Sequence, residues 1–350
     1  MTFDRQTRLP VPVLANPYPT TFSEKMTMTL ASESEPHAIP AEQGPTHRQN
    51  VVLLANATAG SGKAADQAAR AVELIAHGGH RVVGPDCLTT PFADQIRALE
   101  AGGYDTVLAI GGDGTVNVGA KAAVAHDATL VIVPTGTMNL VARDLGIADD
   151  VDAAIRQLDH PRETAIDYAT INGHMFLHSV FLGIVPTLAR DRELVRSDRG
   201  MASACRAAAR GLRDAFTSPA IRVRIESDRG SDTLTTRSLG VSNNLLADEL
   251  PFTFKRRSVS AGEMGVYASA HRGVAAPLRL LMTLGTGTLA QDDETLSAGC
   301  TEATLRLRKA RIDASIDGEI TQLTPPLRCL IHPRALRVTV PSAGERGGPA

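Results

Sequence analysis

The chain has 350 residues, enough for roughly two domains at about 150 residues each. Its composition, 43% hydrophobic and 21% charged, is that of a globular protein and excludes a wholly disordered chain or a fibrous repeat. A net charge of −2 and an aromatic content of 3% argue against a nucleic-acid partner, because they supply neither a general positive field nor a base-stacking surface.

The N-terminal segment and the hydropathy pattern bear on location. Residues 1–49 hold 7 of the 20 prolines and no basic start followed by an apolar block, so we expect a flexible extension rather than a secretory signal. The longest nearly apolar stretch, residues 175–189, is interrupted by Gly183 and Pro186 and is too short for a membrane-spanning helix. The 4 cysteines lie far apart without metal-binding spacing, which predicts free thiols in a reducing cytosol.

Short apolar runs alternate with helical patterns in the first half of the chain. Residues 51–55, 81–83, 106–110 and 129–133 are predicted strands, and each is followed by a predicted helix. The apolar face of the first helix is expected at Ala68, Ala69, Val72 and Ile75. Thr90 is a candidate N-cap for the second helix, with Pro91 in its first position. This alternation indicates a doubly wound α/β domain, in which helices cover both faces of a parallel sheet.

The pattern changes to period two beyond a further helix marked by Val151, Ile155 and Leu158. Extended runs at 164–171 and 174–181 flank Asn172-Gly173, a strong hairpin signal. Alternation continues at residues 221–225, 305–307, 312–316 and 336–340. The second half is therefore predicted to be a mainly antiparallel β-sandwich, interrupted by a helix in the arginine-rich segment 190–214.

Three glycine-rich loops directly follow strands of the predicted parallel sheet, at residues 56–62, 111–115 and 134–139. The carboxyl ends of parallel strands share one edge, so these loops should converge. Small residues and helix N-termini at such an edge form a phosphate cradle. The first loop lacks the Walker spacing, and the second lacks the last glycine of a dinucleotide fingerprint and carries Asp113 inside the turn, which favours Mg²⁺-nucleotide chemistry.

These loops resemble a known family. The successive motifs of the diacylglycerol kinase catalytic family are similar to four runs of this chain. These are residues 56–62, 111–117 and 134–139 and, late in the chain, Asp317-Gly318-Glu319. That family includes YegS-type lipid kinases and the sphingosine kinases and is distantly related to NAD kinases. The motifs occur in the family's order from residue 50 to about residue 340.

The resemblance implies ATP-dependent phosphoryl transfer to a lipid hydroxyl, of a diacylglycerol-like or sphingoid-like acceptor, with ATP and Mg²⁺ as cofactors. Asp317 and Glu319 match the family's candidates for activating the acceptor hydroxyl, and Asp113 is a rival that we rank as phosphate- or Mg²⁺-proximal. The residues that fall where the family binds ATP are Asn56, Ala57, Thr58, Ala59, Gly60, Thr89, Gly111, Gly112, Asp113, Gly114, Thr115, Val116, Asn117 and Thr137.

The domain organisation follows from these motifs. We expect a flexible extension over residues 1–49, a nucleotide-binding α/β domain over 50–163, a β-rich acceptor domain over 164–340 and a flexible tail over 341–350. The fold class also allows the last segment of the β-rich domain to return to the first domain. The acceptor would be held in a bilayer, so the expected location is the cytoplasm, with peripheral contact at the inner face of the membrane.

Several positions depart from the family pattern. Val118 replaces a usual glutamate, Leu140-Val141 replaces Asp-Phe, and Gly183-Ile184-Val185 lacks an acidic residue. Ser260-Ala261-Gly262 replaces an Asp-Asp-Gly segment associated with a structural Mg²⁺ site in bacterial members, so we do not predict that site. Two alternatives stay open: an NAD-kinase-like enzyme with a soluble acceptor, and a catalytically silent nucleotide- or lipid-binding regulator.

Two basic or apolar segments and a pair of histidines lie outside these motifs. The segments 190–213 and 277–289 are candidate membrane-contact helices, and a homodimer is left open. His174 and His178 are expected on one face of a strand about 13 Å apart, too far to share a metal ion.

Overall fold

The computed structural model describes residues 48–56, 63–159, 161–186, 220–247, 255–269 and 295–341. The extension, the tail, the predicted helix at 190–214 and the segment at 277–289 lie outside the described residues, apart from positions 48, 49 and 341. In the described part of the chain, no helix combines the length and the apolar character needed to cross a membrane.

The first half forms a parallel sheet with strand order β2-β1-β3-β4. Its strands are β1 (Asn50–Ala55), β2 (Arg81–Val83), β3 (Thr106–Gly111) and β4 (Thr129–Pro134). The helices of this half are α1 (Lys63–His77), α2 (Phe92–Leu99), α3 (Asp113–Ala125), α4 (Leu140–Asp144) and α5 (Val151–Asp159).

Every residue of β3 and β4 is buried, as expected for strands covered on both faces. One apolar cluster joins the sheet to α1 and α5, and a second joins it to α2 and α3. The buried face of α1 consists of Ala64, Ala68, Ala71 and Ile75. The prediction that Ala69 lies on this face is wrong, because the helix register turns it to solvent, and Pro91 is the N-cap of α2 rather than its first residue.

The second half is antiparallel and contributes to two sheets. Its strands are β5 (Glu163–Ile171), β6 (His174–Phe176), β7 (Ser179–Gly183), β8 (Ile221–Ser227), β9 (Gly230–Thr236), β10 (Ser238–Asn243), β11 (Met264–Ser269), β12 (Thr295–Cys300), β13 (Glu302–Leu307), β14 (Ile312–Ile316), β15 (Glu319–Leu323) and β16 (Leu327–Thr339). One sheet has the order β12-β11-β10-β7-β14-β15, and a large apolar cluster packs between it and the strands β8, β13 and β16. This architecture confirms the predicted fold class.

The long strand β16 joins the parallel strands of the first half to β13, β8 and β9 in one larger sheet, of order β2-β1-β3-β4-β16-β13-β8-β9. Its first part pairs with β13, and its last part lies parallel to β4, with Val338 opposite Leu130. Along its other edge β16 pairs with β5, and the register of that pairing shifts between His332 and Leu336. The C-terminal strand thereby extends the parallel sheet of the first half.

The predicted hairpin at Asn172-Gly173 is present, with β5 and β6 antiparallel around it and both turn residues at positive φ. The prediction that its second strand continues to residue 181 is wrong. The strand ends at Phe176, and the chain crosses to the smaller sheet before β7 begins at Ser179. His178 therefore lies between strands and is buried, whereas His174 is exposed.

Candidate functional site

The glycine-rich turn after β3 leads directly into helix α3. The N-cap residue, Gly112, is extended, and no side chain caps the first turn of this helix. Asp113 is the first helical residue. Since the first amides of a helix have no partner within it, the start of α3 presents N–H groups and a partial positive charge to an anion.

The loop after β4 packs directly on this turn. The amide of Thr135 donates to the carbonyl of Gly111, at 2.9 Å. A Cβ atom at Gly136 would lie 2.6 Å from the Cα of Gly112, so the two backbones touch and only glycine fits at position 136. The side chain of Asn139 closes the second loop by exchanging hydrogen bonds with the amide and carbonyl of Gly136, at 3.0 and 2.8 Å. Two of the three predicted loops therefore converge.

Asp113 joins these loops through its carboxylate. One oxygen accepts the amide of Asn139 at 2.9 Å, and the other accepts the amide of Leu140 at 2.7 Å. Burial raises the pKa of Asp113, the two amides and nearby His178 act to lower it, and the charge of Asp317 acts to raise it. Asp113 therefore fixes the start of α4 against the start of α3.

Asp317 lies in the turn between β14 and β15 and reaches the same region from the other half of the protein. One carboxylate oxygen accepts the amides of His178 and Ser179, at 2.9 and 2.8 Å. The other accepts the amide of Leu177 at 2.7 Å and the side-chain amide of Asn117 at 2.8 Å. Both oxygens are thus occupied by hydrogen-bond donors.

Glu319 emerges two residues later with a different environment. The turn brings Asp317 and Gly318 to positive φ values of 46° and 91°, which directs the chain back into β15. Glu319 is exposed, and its Oε1 lies 3.1 Å from the position that a Cβ atom would take at Gly114. A carboxylate from the late turn therefore faces the glycine-rich start of α3.

The end of β1 is held near the turn that contains Thr89. The buried side chain of Gln95 exchanges hydrogen bonds with the amide and carbonyl of Ala55, both at 3.1 Å, and its amide nitrogen also reaches the carbonyl of Thr90. The Thr89 hydroxyl donates to Asp86 at 2.9 Å. Asn56 is half-buried at the end of the strand, whereas predicted residues 57–60 lie outside the described residues.

The remaining predicted residues take different places. Thr137 is exposed, Thr115 is buried beneath Gly111, and the side chain of Val116 packs in the apolar cluster around Val107. Asn117 directs its amide nitrogen to Asp317. Val118 packs against the same apolar cluster, so a hydrophobic residue suits this position.

Three residues near the site carry no local sequence signal. His178 is buried, with its Nδ1 at 3.1 Å from the Ser179 hydroxyl, and it lies close enough to Asp113 to influence its pKa. Arg256 and Asp144 form a buried ion pair, with Nε and Oδ2 2.6 Å apart. Their sequence separation of 112 residues leaves no spacing from which this pair could be recognised.

Metal ligands are sparse in the described part of the chain, where no three His, Cys, Asp or Glu side chains gather into a metal-binding group. At the Ser260-Ala261-Gly262 segment, the amide of Gly262 donates to the buried carboxylate of Asp167 at 2.7 Å. Glu319 is the carboxylate near the start of α3 that is open to solvent. A divalent ion at this place would therefore be coordinated mainly by oxygens of a bound small molecule rather than by protein side chains.

A small cleft opens beside the site in the antiparallel half. Its lining combines a few polar groups with apolar side chains and consists of His178, Ser179, Phe181, Gly240, Val241, Ser242, Leu246 and Tyr267. His178 and Ser179 also belong to the segment that holds Asp317. The cleft is therefore adjacent to the late turn.

Comparison with known proteins finds a family model that matches the first half of the chain. Residues 50–171 match the model of the diacylglycerol kinase catalytic domain. A candidate lipid kinase of Streptococcus pneumoniae is 26% identical over 189 residues, which cover 52% of this chain and 63% of that protein. A candidate YegS-like lipid kinase of Pseudomonas aeruginosa is 41% identical over 80 residues, covering 22% of this chain and 26% of that protein. The aligned stretches span less than two thirds of either relative.

Solved structures share the fold over most of the chain. A diacylglycerol kinase from Bacillus anthracis superposes with a TM-score of 0.59 at 16% identity, covering 84% of this chain and 97% of that one. A candidate diacylglycerol kinase from the same organism gives a TM-score of 0.61 at 18% identity, covering 85% and 99%. At these identities the likeness concerns the fold, an α/β half followed by an antiparallel half.

Proposed function

We propose that this chain is an ATP-dependent lipid kinase, because residues 50–171 match the model of the diacylglycerol kinase catalytic domain. It would transfer the γ-phosphoryl group of ATP to a hydroxyl of a diacylglycerol-like or sphingoid-like acceptor. The observation that carries the proposal is the meeting of two motifs 200 residues apart, in which Asn117 binds Asp317 and Glu319 faces Gly114. Phosphoryl transfer requires a phosphate site and a carboxylate at such a junction.

The nucleotide would bind at the touching loops after β3 and β4. The uncapped start of α3 and the close approach of Gly112 to Gly136 support this assignment, because amides at a small-residue turn can surround phosphate oxygens. Asn56 and Thr89 would border the same edge of the sheet. Asp113 would act by holding the two loops together, since both its oxygens accept amides of the second loop.

Glu319 is the residue that we assign as general base. It is exposed beside the phosphate-binding turn and could accept the proton of the acceptor hydroxyl as that oxygen bonds to the γ-phosphorus and ADP leaves. Asp317 is the weaker candidate, because its oxygens already accept three main-chain amides and the amide of Asn117. Its role would be to hold the turn from which Glu319 projects.

The donor set suits Mg²⁺ bound to a nucleotide. Mg²⁺ is commonly held by one or two carboxylates together with substrate phosphates and water. Mg²⁺ would be held mainly by phosphate oxygens and water, which leaves the solvent-open carboxylate of Glu319 to act as the base. Bound Mg²⁺ would neutralise charge that develops on the phosphates.

The acceptor would approach the late turn from the antiparallel half. The small cleft there, lined in part by Phe181, Val241 and Leu246, borders the segment that contacts Asp317. A lipid acceptor implies that the protein acts at a membrane surface, which agrees with the proposed cytoplasmic location at the inner face.

The test is transfer of label from γ-labelled ATP with Mg²⁺. Diacylglycerol, a sphingoid base, a total lipid extract and NAD would be offered separately to the full chain. Label should appear on a lipid, and Glu319→Gln should reduce the rate by about 100-fold or more, in the range usual for loss of a general base. Glu302→Gln is the matched control, since Glu302 is an exposed strand carboxylate.

The outcomes separate the alternatives. Label on NAD alone would establish a soluble acceptor and contradict the lipid kinase. ATP binding without label on any acceptor would favour a silent regulator. A Glu319→Gln variant that keeps the normal rate would remove Glu319 from the catalytic step while leaving the overall activity in place.

A further inference from the structure

A closed ring of contacts passes through both halves of the candidate site. It starts in α3, where Asp113 holds the amides of Asn139 and Leu140 at the start of α4. Helix α4 is only five residues long and ends at Asp144. The position of Asp144 is therefore coupled to that of Asp113 by a short rigid element.

The second part of the ring crosses to the antiparallel half through Arg256. The Nε of Arg256 donates to Asp144 at 2.6 Å, and its Nη1 donates to the carbonyl of Leu177 at 2.6 Å. The amide of Leu177 donates in turn to Asp317, which accepts from Asn117. Asn117 lies one helical turn after Asp113 in α3, so the ring closes where it began.

The energetics of the ion pair do not favour a purely stabilising role. The side chains of Arg256 and Asp144 are 0% and 5% exposed, so both charges have lost most of their water. The Nη2 of Arg256 is buried without a hydrogen-bond partner in the described part of the chain. Apolar residues that replace a buried ion pair often leave stability unchanged or raise it. Stability of the fold therefore does not by itself explain why a buried ion pair occupies this place.

We propose that Arg256 and Asp144 are positioning residues that set the separation between the phosphate-binding loops and the turn carrying Asp317 and Glu319. The pair fixes α4 on one side and the main chain of Leu177 on the other, and Leu177 is one of the amides that hold Asp317. The catalytic part of this inference rests on the proposed function. Its structural part concerns the ring alone.

The test replaces both charges together in the full chain, as Arg256→Met with Asp144→Leu, so that neither charge is left buried without its partner. The matched control is Arg306→Met with Glu226→Leu, which removes a pair that remains open to solvent, with Nε and Oε2 2.7 Å apart and side chains 56% and 32% exposed. Thermal unfolding, ATP binding, lipid phosphorylation and amide hydrogen exchange would be measured for both variants.

The buried-pair variant should keep its melting temperature and its affinity for ATP. Its kcat should fall by about 10- to 100-fold, because reacting groups displaced by about 1 Å lose that much rate. Amide exchange in peptides that cover Leu177 to Ser179 should become about 10-fold faster, since the Leu177 carbonyl loses its bond to Arg256 and keeps only the one from Asn243. The control should match the wild type in every measurement. Arg256→Lys, which retains the charge without the planar fork, should show the same fall in kcat.

Unchanged exchange in the segment 177–179 of the folded buried-pair variant would overturn the proposal, as would an unchanged kcat. If neither the double variant nor Arg256→Lys folds, the pair serves stability and the proposal is also overturned. A wild-type protein that phosphorylates no lipid would contradict the proposed function, and the exchange measurement would still decide whether the ring positions the turn.

Discussion

Replacing Asp317 with asparagine tests whether this residue anchors the turn or acts as the general base. Aspartate offers two acceptor oxygens, and four donors use them: the amides of Leu177, His178 and Ser179 and the side chain of Asn117. Asparagine keeps one oxygen and presents an NH₂ group where the other oxygen was. Two donors would then face a donor, and two hydrogen bonds to a charged acceptor would be lost.

The magnitude follows from the number of bonds. A hydrogen bond to a charged group contributes about 1.5–3 kcal/mol, so two lost bonds correspond to about 3–6 kcal/mol. Asp317 is half-buried, and solvent can replace part of the loss, so we expect the lower end, about 3 kcal/mol. For a chain of this size, the melting temperature should fall by about 6 °C, at about 2 °C for each kcal/mol.

The assay compares two variants of one turn. Asp317→Asn and Glu319→Gln each remove one charge, two residues apart, but Glu319 is exposed. Asp317→Asn should lower both the melting temperature and the urea midpoint, whereas Glu319→Gln should change stability by less than about 0.5 kcal/mol and lose activity instead. An Asp317→Asn protein with wild-type stability and no activity would refute the anchoring role and restore Asp317 as the base.

Three further predictions concern the loops, pH and the thiols. Gly136→Ala should abolish ATP binding because its Cβ would collide with the Cα of Gly112, 2.6 Å away. Gly78→Ala, whose nearest neighbour would be the His80 ring at 3.2 Å, should bind ATP normally in an equilibrium titration. Because the folded state raises the pKa of Asp113, it binds this proton more tightly than the unfolded chain, and stability should fall as pH rises through the raised pKa. Urea unfolding from pH 4 to 7 should show this slope in the wild type and a flatter one in Asp113→Asn; equal slopes would contradict the shift. Burial raises the pKa of the Cys87 thiol to about 11 and of the Cys300 and Cys329 thiols to about 12. A Cys205→Ser variant, which keeps only these three thiols, should therefore react with iodoacetamide at pH 8 only after unfolding, and fast labelling of the folded variant would contradict this.

The elements that the sequence identified are those whose signals are local. The strands β1, β3 and β4 appear as short apolar runs because both their faces are buried, and the hairpin at Asn172-Gly173 appears because its turn requires positive φ. On α1 the sequence wrongly placed Ala69 on the apolar face, because a helix rich in alanine presents nearly equal choices on neighbouring faces. The early end of β6 was missed because the residues that follow remain apolar while the chain changes sheets.

The candidate site divides in the same way. Recognisable sequence motifs contain Asp113, Gly114, Asp317 and Glu319, since a turn that approaches phosphate restricts which residues can follow one another. These motifs do not show which residue anchors the turn and which one is free to react. Asp317 and Glu319 are equivalent candidates in the sequence, and only the fold shows one surrounded by donors and the other exposed.

By itself, the sequence determined the α/β and β-rich halves, the glycine-rich loops and a near-neutral chain that offers no general attraction for nucleic acid. Tertiary structure alone decided that Arg256 meets Asp144, that β16 lies beside β4, and that the amides of Leu177 to Ser179 face Asp317. The physical reason is the distance along the chain over which each effect acts. Propensity and periodicity act over a few residues, whereas hydrogen bonds and ion pairs form between any groups that the packing of distant strands brings within about 3 Å.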